Sequence, residues 1–321
     1  MTKAAAFLLA VLLTGCAGIA PAQTAKYPER AVTLVVPFSA GGSSDMISRP
    51  LAELLGESLG EPVAVVNKPG ASGAVGAAYV AQSAADGYTL LNASNSPVTV
   101  APFTSDLSYS FDDFTPVGRS VIMPTCLTVR ADSPFDTLES LLSHLREDPE
   151  SVTVGTPGAG STHHLTLEHF SSLAGVRFTH MPFEGANGAI VALLGGHIDS
   201  TLTGVPEVIS QYQSGEFRIL CVFTPERLAL LPEVPTAEEL GFDVGDRCAW
   251  YGLMVSSGTD EKIVRTLEEA LRRAVEDPGF AETAKKLNMI PAFLPGEEFA
   301  ELIQTECEVN EKILAQIGME K

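Results

Sequence analysis

Residues 32–45 constrain the fold of this chain more than any other stretch. Val32-Thr33-Leu34-Val35-Val36 is an apolar, β-branched run that stops at Pro37. Phe38-Ser39-Ala40-Gly41-Gly42-Ser43-Ser44-Asp45 follows, and then Met46, Ile47, Leu51, Leu54 and Leu55 recur at helical spacing. That order predicts a strand, a tight loop and a helix N-terminus. Glycine has no Cβ, so the backbone there can close on a ligand. The first turn of a helix leaves its amides unpaired at the positive end of the macrodipole, which makes it a cradle for an anion. The same order returns later as a strand over 152–155, Thr156-Pro157-Gly158-Ala159-Gly160-Ser161-Thr162-His163-His164, and a helix over 165–173.

Strands and helices alternate through most of the remainder, which points to an α/β protein with mostly parallel sheets. A strand over 62–66 precedes Asn67-Lys68-Pro69-Gly70-Ala71 and a helix over 75–84. A strand over 89–91 ends in Asn92-Ala93-Ser94-Asn95-Ser96, whose small polar groups, Ser94 and Asn95 among them, suit a second wall of a pocket. Residues 101–116 read as irregular, 117–129 as one extended apolar run, and 138–146 as an amphipathic helix. Strands over 176–182, 197–203, 218–223 and 249–255 alternate with helices ending near 194 and 212. The tail beyond reads as wholly helical, with Leu267, Ala270, Leu271 and Ala274 in an apolar stripe. Pro50 lacks an N–H and crowds the carbonyl of Met46, so the first helix is expected to kink there or start late. Asp45 and Arg49, four apart, can pair on its surface.

A length of 321 residues suits two domains, and 45% apolar with 19% charged residues suits a packed globular chain. The net charge of −20 argues against nucleic acid and against a polybasic membrane surface. An anion site here must therefore act through local dipoles. Residues 1–15 carry Lys3 and a short apolar stretch, as an export signal does, too short to span a bilayer. Leu13-Thr14-Gly15-Cys16 resembles a lipobox, in which Cys16 takes the lipid and residues 16–26 become a tether; plain cleavage after Ala20-Pro21-Ala22 is the alternative. Cys126, Cys221, Cys248 and Cys307 remain, without the CxxC spacing of a zinc or redox site.

Other chemistries fit less well. Residues 155–162 nearly spell a P-loop, but Ser161 stands where its lysine belongs, and His163 holds the place of the third glycine of a dinucleotide fingerprint. A serine hydrolase would use Ser161 as nucleophile, a histidine as base and Asp199 as orienter. His164 lies too near on the same helix start, and no Gly-x-Ser-x-Gly elbow occurs. His163, His164, Glu168 and His169 offer metal-ligand chemistry without an HExxH pattern, so neither a metal nor another cofactor is expected. Asp199 is open to two readings, a partner for a ligand amine or a strand-end cap.

The motifs Phe38 to Asp45, Asn67-Lys68-Pro69-Gly70-Ala71, Asp86-Gly87-Tyr88-Thr89-Leu90, Gly158 to Leu165, Gly195-Gly196-His197-Ile198-Asp199, Pro232-Glu233-Val234-Pro235-Thr236 and Trp250-Tyr251-Gly252 occur in that order. As a set they resemble the substrate-binding receptors of tripartite tricarboxylate transporters, the Bug-type extracytoplasmic receptors, over residues 27–318. The resemblance implies a type II periplasmic-binding-protein fold: two α/β domains joined by crossover strands, with a ligand cleft between them. The expected boundaries are 27–125 plus 253–321 for one domain and 126–252 for the other. It also implies a monomeric, non-enzymatic receptor for a small mono- or dicarboxylate, with large and small permease subunits as membrane partners. Transferred by position, Phe38, Ser39, Ala40, Gly41, Gly42 and Ser43 form one jaw. Gly160, Ser161, Thr162 and His164 form the other, and Phe183, Asn187 and Asp199 line the second domain's side. The family usually has Tyr-(Lys/Arg)-Gly where this chain has Phe183-Glu184-Gly185, an acid in place of a cation. Cys126 and Cys248 fall on the segments assigned to the crossovers, where a disulfide would staple the hinge; buried free thiols are the other reading of the four cysteines. An exported serine hydrolase, and a ligand-sensing receptor feeding a regulatory partner, are the alternatives.

Overall fold

The computed structural model describes residues 27–287 and 289–321, so the export signal and Cys16 lie outside the described residues. The chain opens with β1 (Val32–Val36), α1 (Ser43–Leu59), β2 (Val63–Asn67), α2 (Ala74–Ala81) and β3 (Thr89–Ser94), with β1 paired in parallel to both β2 and β3. A one-turn helix α3 (Ala101–Thr104) and β4 (Phe114–Met123) follow. At Pro124 the chain passes to a second sheet through β5 (Thr125–Arg130). The second unit continues as α4 (Leu138–Glu147), β6 (Thr153–Thr156), α5 (Thr162–Ala174) and β7 (Thr179–Pro182). It closes with α6 (Ala186–Leu194), β8 (Ser200–Gly204), α7 (Val205–Gln213) and β9 (Phe217–Val222). β10 (Ala249–Ser256) returns to the first sheet, followed by α8 (Glu261–Glu276), α9 (Pro278–Lys286), β11 (Ile290–Pro295) and α10 (Gly296–Gln316).

The six-stranded sheet runs β11-β4-β10-β3-β1-β2 and the five-stranded sheet β7-β6-β8-β5-β9. Period-two alternation sorts their side chains into layers. Val32 and Leu34 pack with Ile47, Leu51 and Leu55 of α1 and Leu267 and Leu271 of α8, while Val35 turns to Leu91, Trp250 and Phe299 on the other face. In the second sheet Leu127 and Val129 meet Leu141 and Phe170, and Cys126 meets Leu193 and Val208. A small cluster ties the two halves: Leu165 of α5 packs with Val100 and with Ile313 and Leu314 of α10.

Several expectations need correction. Neither sheet is mostly parallel, because β4, β5 and β10, which carry the chain between sheets, enter antiparallel to their neighbours. The apolar run 117–129 is two strands, one per sheet, broken at Pro124. The tail is not wholly helical; β11 pairs antiparallel with β4. α1 starts at Ser43 despite Pro50, because the proline removes one hydrogen bond while Ile47, Leu51 and Leu55 stay fully buried. A boundary at 252/253 would divide β10, which is one strand of the first sheet. The disulfide is absent: Cys126, Cys221, Cys248 and Cys307 are all free thiols, and Cys126 instead faces the Thr128 hydroxyl at 3.3 Å.

Candidate ligand-binding site

Both glycine turns emerge where the sheets connect. Ser94, at the C-terminal end of β3, lies opposite Tyr251 near the start of β10, and Gly204, ending β8, lies opposite Thr125, starting β5. The C-terminal ends of the parallel strands in each sheet thus point towards the crossovers, and the turns after β1 and β6 rise from those edges. Ligands of open α/β sheets bind beyond such strand ends.

In the first turn Gly41 has φ +81°, a left-handed conformation suited to glycine. Its amide donates to Asp45 Oδ2 at 2.9 Å. Asp45 also accepts from Arg49 Nε and Nη2 at 3.0 and 2.8 Å and from Asn67 Nδ2 at 3.0 Å. Asn67 Nδ2 reaches the Phe38 carbonyl as well, at 3.0 Å. Burial works to raise the Asp45 carboxyl, but these donors outweigh it and hold the group below the usual carboxylate range. Asp45 is therefore a clasp for the loop as well as the partner of Arg49. Phe38 packs inward beside Gly73 and Pro97, while Ser39, Ala40, Gly41, Gly42 and Ser43 are exposed. Gly42 caps α1 without a side chain, so the amides of the first helical turn lack an internal partner.

The second turn repeats the device. Gly160 has φ +71°, and its amide donates to Nδ1 of His164, four residues on, at 3.0 Å. Because Nδ1 accepts, the ring proton resides on Nε2, which lies 3.5 Å from Glu168 Oε1. The His164 ring stacks on His180, centroids 3.8 Å apart, and His180 Nε2 lies 2.7 Å from the Thr156 hydroxyl. Ser161 Oγ accepts from the His164 amide at 3.2 Å and caps α5, which Thr162 opens. Ser161 Oγ and the His164 ring thus face separate backbone amides, not one another as a nucleophile and base would. The end of α10 reaches this turn: the Met319 methyl lies 3.1 Å from where a Cβ on Gly160 would stand, and the Lys321 amide donates to the Phe103 carbonyl at 3.0 Å.

Other expected residues have different places. Phe183 sits beside the second turn, its amide donating to Thr156 O at 3.0 Å and its ring against Gly155 and Gly188. Asn187 is exposed in the first turn of α6. Asn95 is a brace, not a wall: Oδ1 accepts from the Trp250 amide at 2.9 Å, and Nδ2 donates to Glu306 Oε1 at 2.7 Å. Asp199 precedes β8 at the end away from Gly204 and accepts from the Thr153 amide at 2.8 Å and its hydroxyl at 2.6 Å. It caps strands at the far edge of the sheet, which excludes it from the group at the crossovers.

That group contains Asn92 and Ser94 of the expected second wall together with Tyr251 and Glu207, which the sequence reading did not place in the site. Asn92 Nδ2 donates to Ser44 Oγ at 2.9 Å, whereas Asn92 Oδ1 and Ser94 Oγ are buried without a partner. Tyr251 lies opposite Ser94; burial and the charge of Glu207 push its phenol up to about 12, against a lowering by Ser44. Glu207 comes from α7 of the second sheet, with Oε2 accepting from the Gly204 amide at 2.7 Å. The available signals were Tyr251 within the Trp-Tyr-Gly motif and Glu207 just after a Gly-Val-Pro helix start. Among the described residues no three His, Cys, Asp or Glu side chains gather to hold a metal.

The model of the tripartite tricarboxylate transporter family receptor matches residues 47–319. This chain belongs to that family. Among curated relatives it is 34% identical to the UPF0065 protein in the gbd 5′ region of Cupriavidus necator, over 94% of this chain and 92% of the relative. It is 33% identical to protein BugT of Bordetella pertussis, over 97% of each. A TctC solute-binding protein from Polaromonas, solved without ligand, shares 32% identity at a TM-score of 0.86, covering 90% of this chain and 99% of that one. Two structures hold ligands. A protein of R. palustris with adipate is 29% identical at a TM-score of 0.72, covering 91% and 98%, and MatC of Rhodopseudomonas palustris with malate is 29% identical at 0.68, covering 90% and 100%. The family is one of solute-binding receptors, and this chain shares their two-domain architecture.

Proposed function

We propose that this chain is an extracytoplasmic receptor that captures a small carboxylate between its domains and delivers it to a tripartite permease with large and small membrane subunits. One observation carries the reading. Each domain presents a glycine turn at its crossover edge, with the glycine amide held by a side chain four residues on: Gly41 by Asp45 and Gly160 by His164. The clasps fix the turns, leaving the first-turn amides of α1 and, apart from that of His164, those of α5 for a carboxylate. The adipate and malate structures support the ligand class. Charge-assisted hydrogen bonds contribute roughly 1.5–3 kcal/mol each, so about four offset the association cost at micromolar affinity. Both jaws lie on one chain, so a monomer suffices. Among the described residues no helix is long and apolar enough to cross a membrane; a lipid on Cys16 would supply the anchor. Domain closure around the ligand is the signal the permease reads.

Titration calorimetry with a panel of small carboxylates tests the reading. Gly41→Glu and Gly160→Glu put a like charge into each jaw and should abolish binding while circular dichroism stays unchanged. Unaltered affinity in both variants overturns the site.

A further inference from the structure

We infer that the end of this pocket beside Tyr251 disfavours a second carboxylate and selects a ligand whose far end donates hydrogen bonds, a hydroxyl or a protonated amine, with Glu207 as the specificity-determining residue. The inference rests on the receptor reading above and concerns what the bound carboxylate is attached to.

Four observations converge. The β3–β10 register sets Tyr251 opposite Ser94, so the two side chains share one sheet face, and Asn92, two residues earlier, shares it too. On that face Asn92 is fully buried and Ser94 is 7% exposed, and Asn92 Oδ1 and Ser94 Oγ have no partner. A buried amide oxygen cannot donate; only a donor satisfies it. Glu207, exposed at the start of α7 in the other domain, comes near enough for its charge to raise the Tyr251 phenol. The Gly204 amide engages only Oε2, which leaves Oε1 to a ligand.

The charge balance decides between the two kinds of ligand. Among the described residues no cation acts on Glu207 or on the Tyr251 phenol. The guanidiniums nearest in sequence to the first turn and to β10 are engaged elsewhere, Arg49 by Asp45 and Arg247 by Asn310. A second ligand carboxylate would meet Glu207 with nothing to neutralise the pair, a like-charge contact in a partly desolvated site. A hydroxyl or ammonium meets an acceptor oxygen on each side, Asn92 Oδ1 from the first domain and Glu207 Oε1 from the second. Such a ligand bridges the domains and favours their closure. The acid sought for a ligand amine at Asp199 is supplied at Glu207, at the crossover edge.

The test is calorimetry on the mature chain at neutral pH with five probes: succinate, adipate, malate, 4-hydroxybutyrate and 4-aminobutyrate. Wild type should bind 4-hydroxybutyrate or 4-aminobutyrate about tenfold or more tighter than succinate. Glu207→Gln, which keeps the bond to the Gly204 amide, should narrow or reverse that ratio, chiefly by strengthening succinate. Ser94→Ala, a change remote from the helix cap, should weaken the hydroxyl- or amine-ended probe more than succinate. Preference for succinate or adipate in wild type, or a ratio unmoved by both substitutions, overturns the inference and leaves the carboxylate receptor standing. Binding of none of the five overturns the receptor reading and the inference together.

Discussion

The backbone amide of Gly160 donates to Nδ1 of His164 at 3.0 Å, so a ring at the start of α5 sets the conformation of the turn before it. The bond fixes the tautomer, and the stack on His180 fixes the ring plane. His164→Asn should retain most ligand affinity, because an amide oxygen can accept from Gly160. His164→Leu should lose about fivefold, the worth of a net hydrogen bond of about 1 kcal/mol. Calorimetry on both variants checks this; equal affinity in wild type and the leucine variant would remove the clasp from the account.

Acid should weaken the fold before the carboxylates titrate. Burial pushes His163, His169 and His180 down from 6.5 to about 4. Between those values the unfolded chain binds protons that the folded chain refuses, so stability falls as pH drops from about 6.5 towards 4. Burial raises Glu207 and Glu306, which works in the opposite sense, but over fewer groups. The melting temperature should therefore decline across that window, and His180→Phe should flatten part of the slope. A flat profile above pH 5 sinks the prediction.

Glu306 joins α10 to β10 and to the end of β3. Oε2 accepts from Trp250 Nε1 at 3.0 Å and Oε1 from Asn95 Nδ2 at 2.7 Å. Buried Arg247 lies within its field. Glu306→Ala removes the larger of the two acidic influences on Arg247, leaving Asp246, strands the Trp250 and Asn95 donors, and should cost about 3 kcal/mol. The readout is the urea midpoint followed by fluorescence of Trp250, the one tryptophan in the chain. A loss under about 1 kcal/mol would show the network to be incidental.

Four thiols should react when a chain beginning at residue 27 is denatured without reductant. In the folded state Cys307 should react first, as the one cysteine of the four that is not buried. Even so, burial and the neighbouring Glu306, Glu311 and Glu308 push its thiol up to about 12, so alkylation at neutral pH should be slow. Fewer than four thiols would restore a disulfide.

The strand-glycine-helix units were legible because apolar runs, prolines and glycines act locally. The turns after β1 and β6 lie where those signals put them. β11 was hidden because Pro291 and Pro295 read as breakers, yet the strand sits at the sheet edge, where a missing donor is tolerated. Asp199 and Glu207 show the limit for the site. Both are acids near a strand of the second domain, and only the direction of β8 tells which end faces the crossover. Asn95 looked like a pocket residue until its long-range partners Trp250 and Glu306 were in place. Such assignments depend on contacts between residues over a hundred positions apart, which local pattern cannot report.

The contact of Met319 with Gly160, on a tail pinned to Phe103 by Lys321, bears on how the protein is handled. An affinity tag fused after Lys321 would hang at the mouth of the second turn and crowd it. On a chain beginning at residue 27 the tag belongs before Tyr27, which packs beside Gly87 at the base of β1, a strand's length from the first turn.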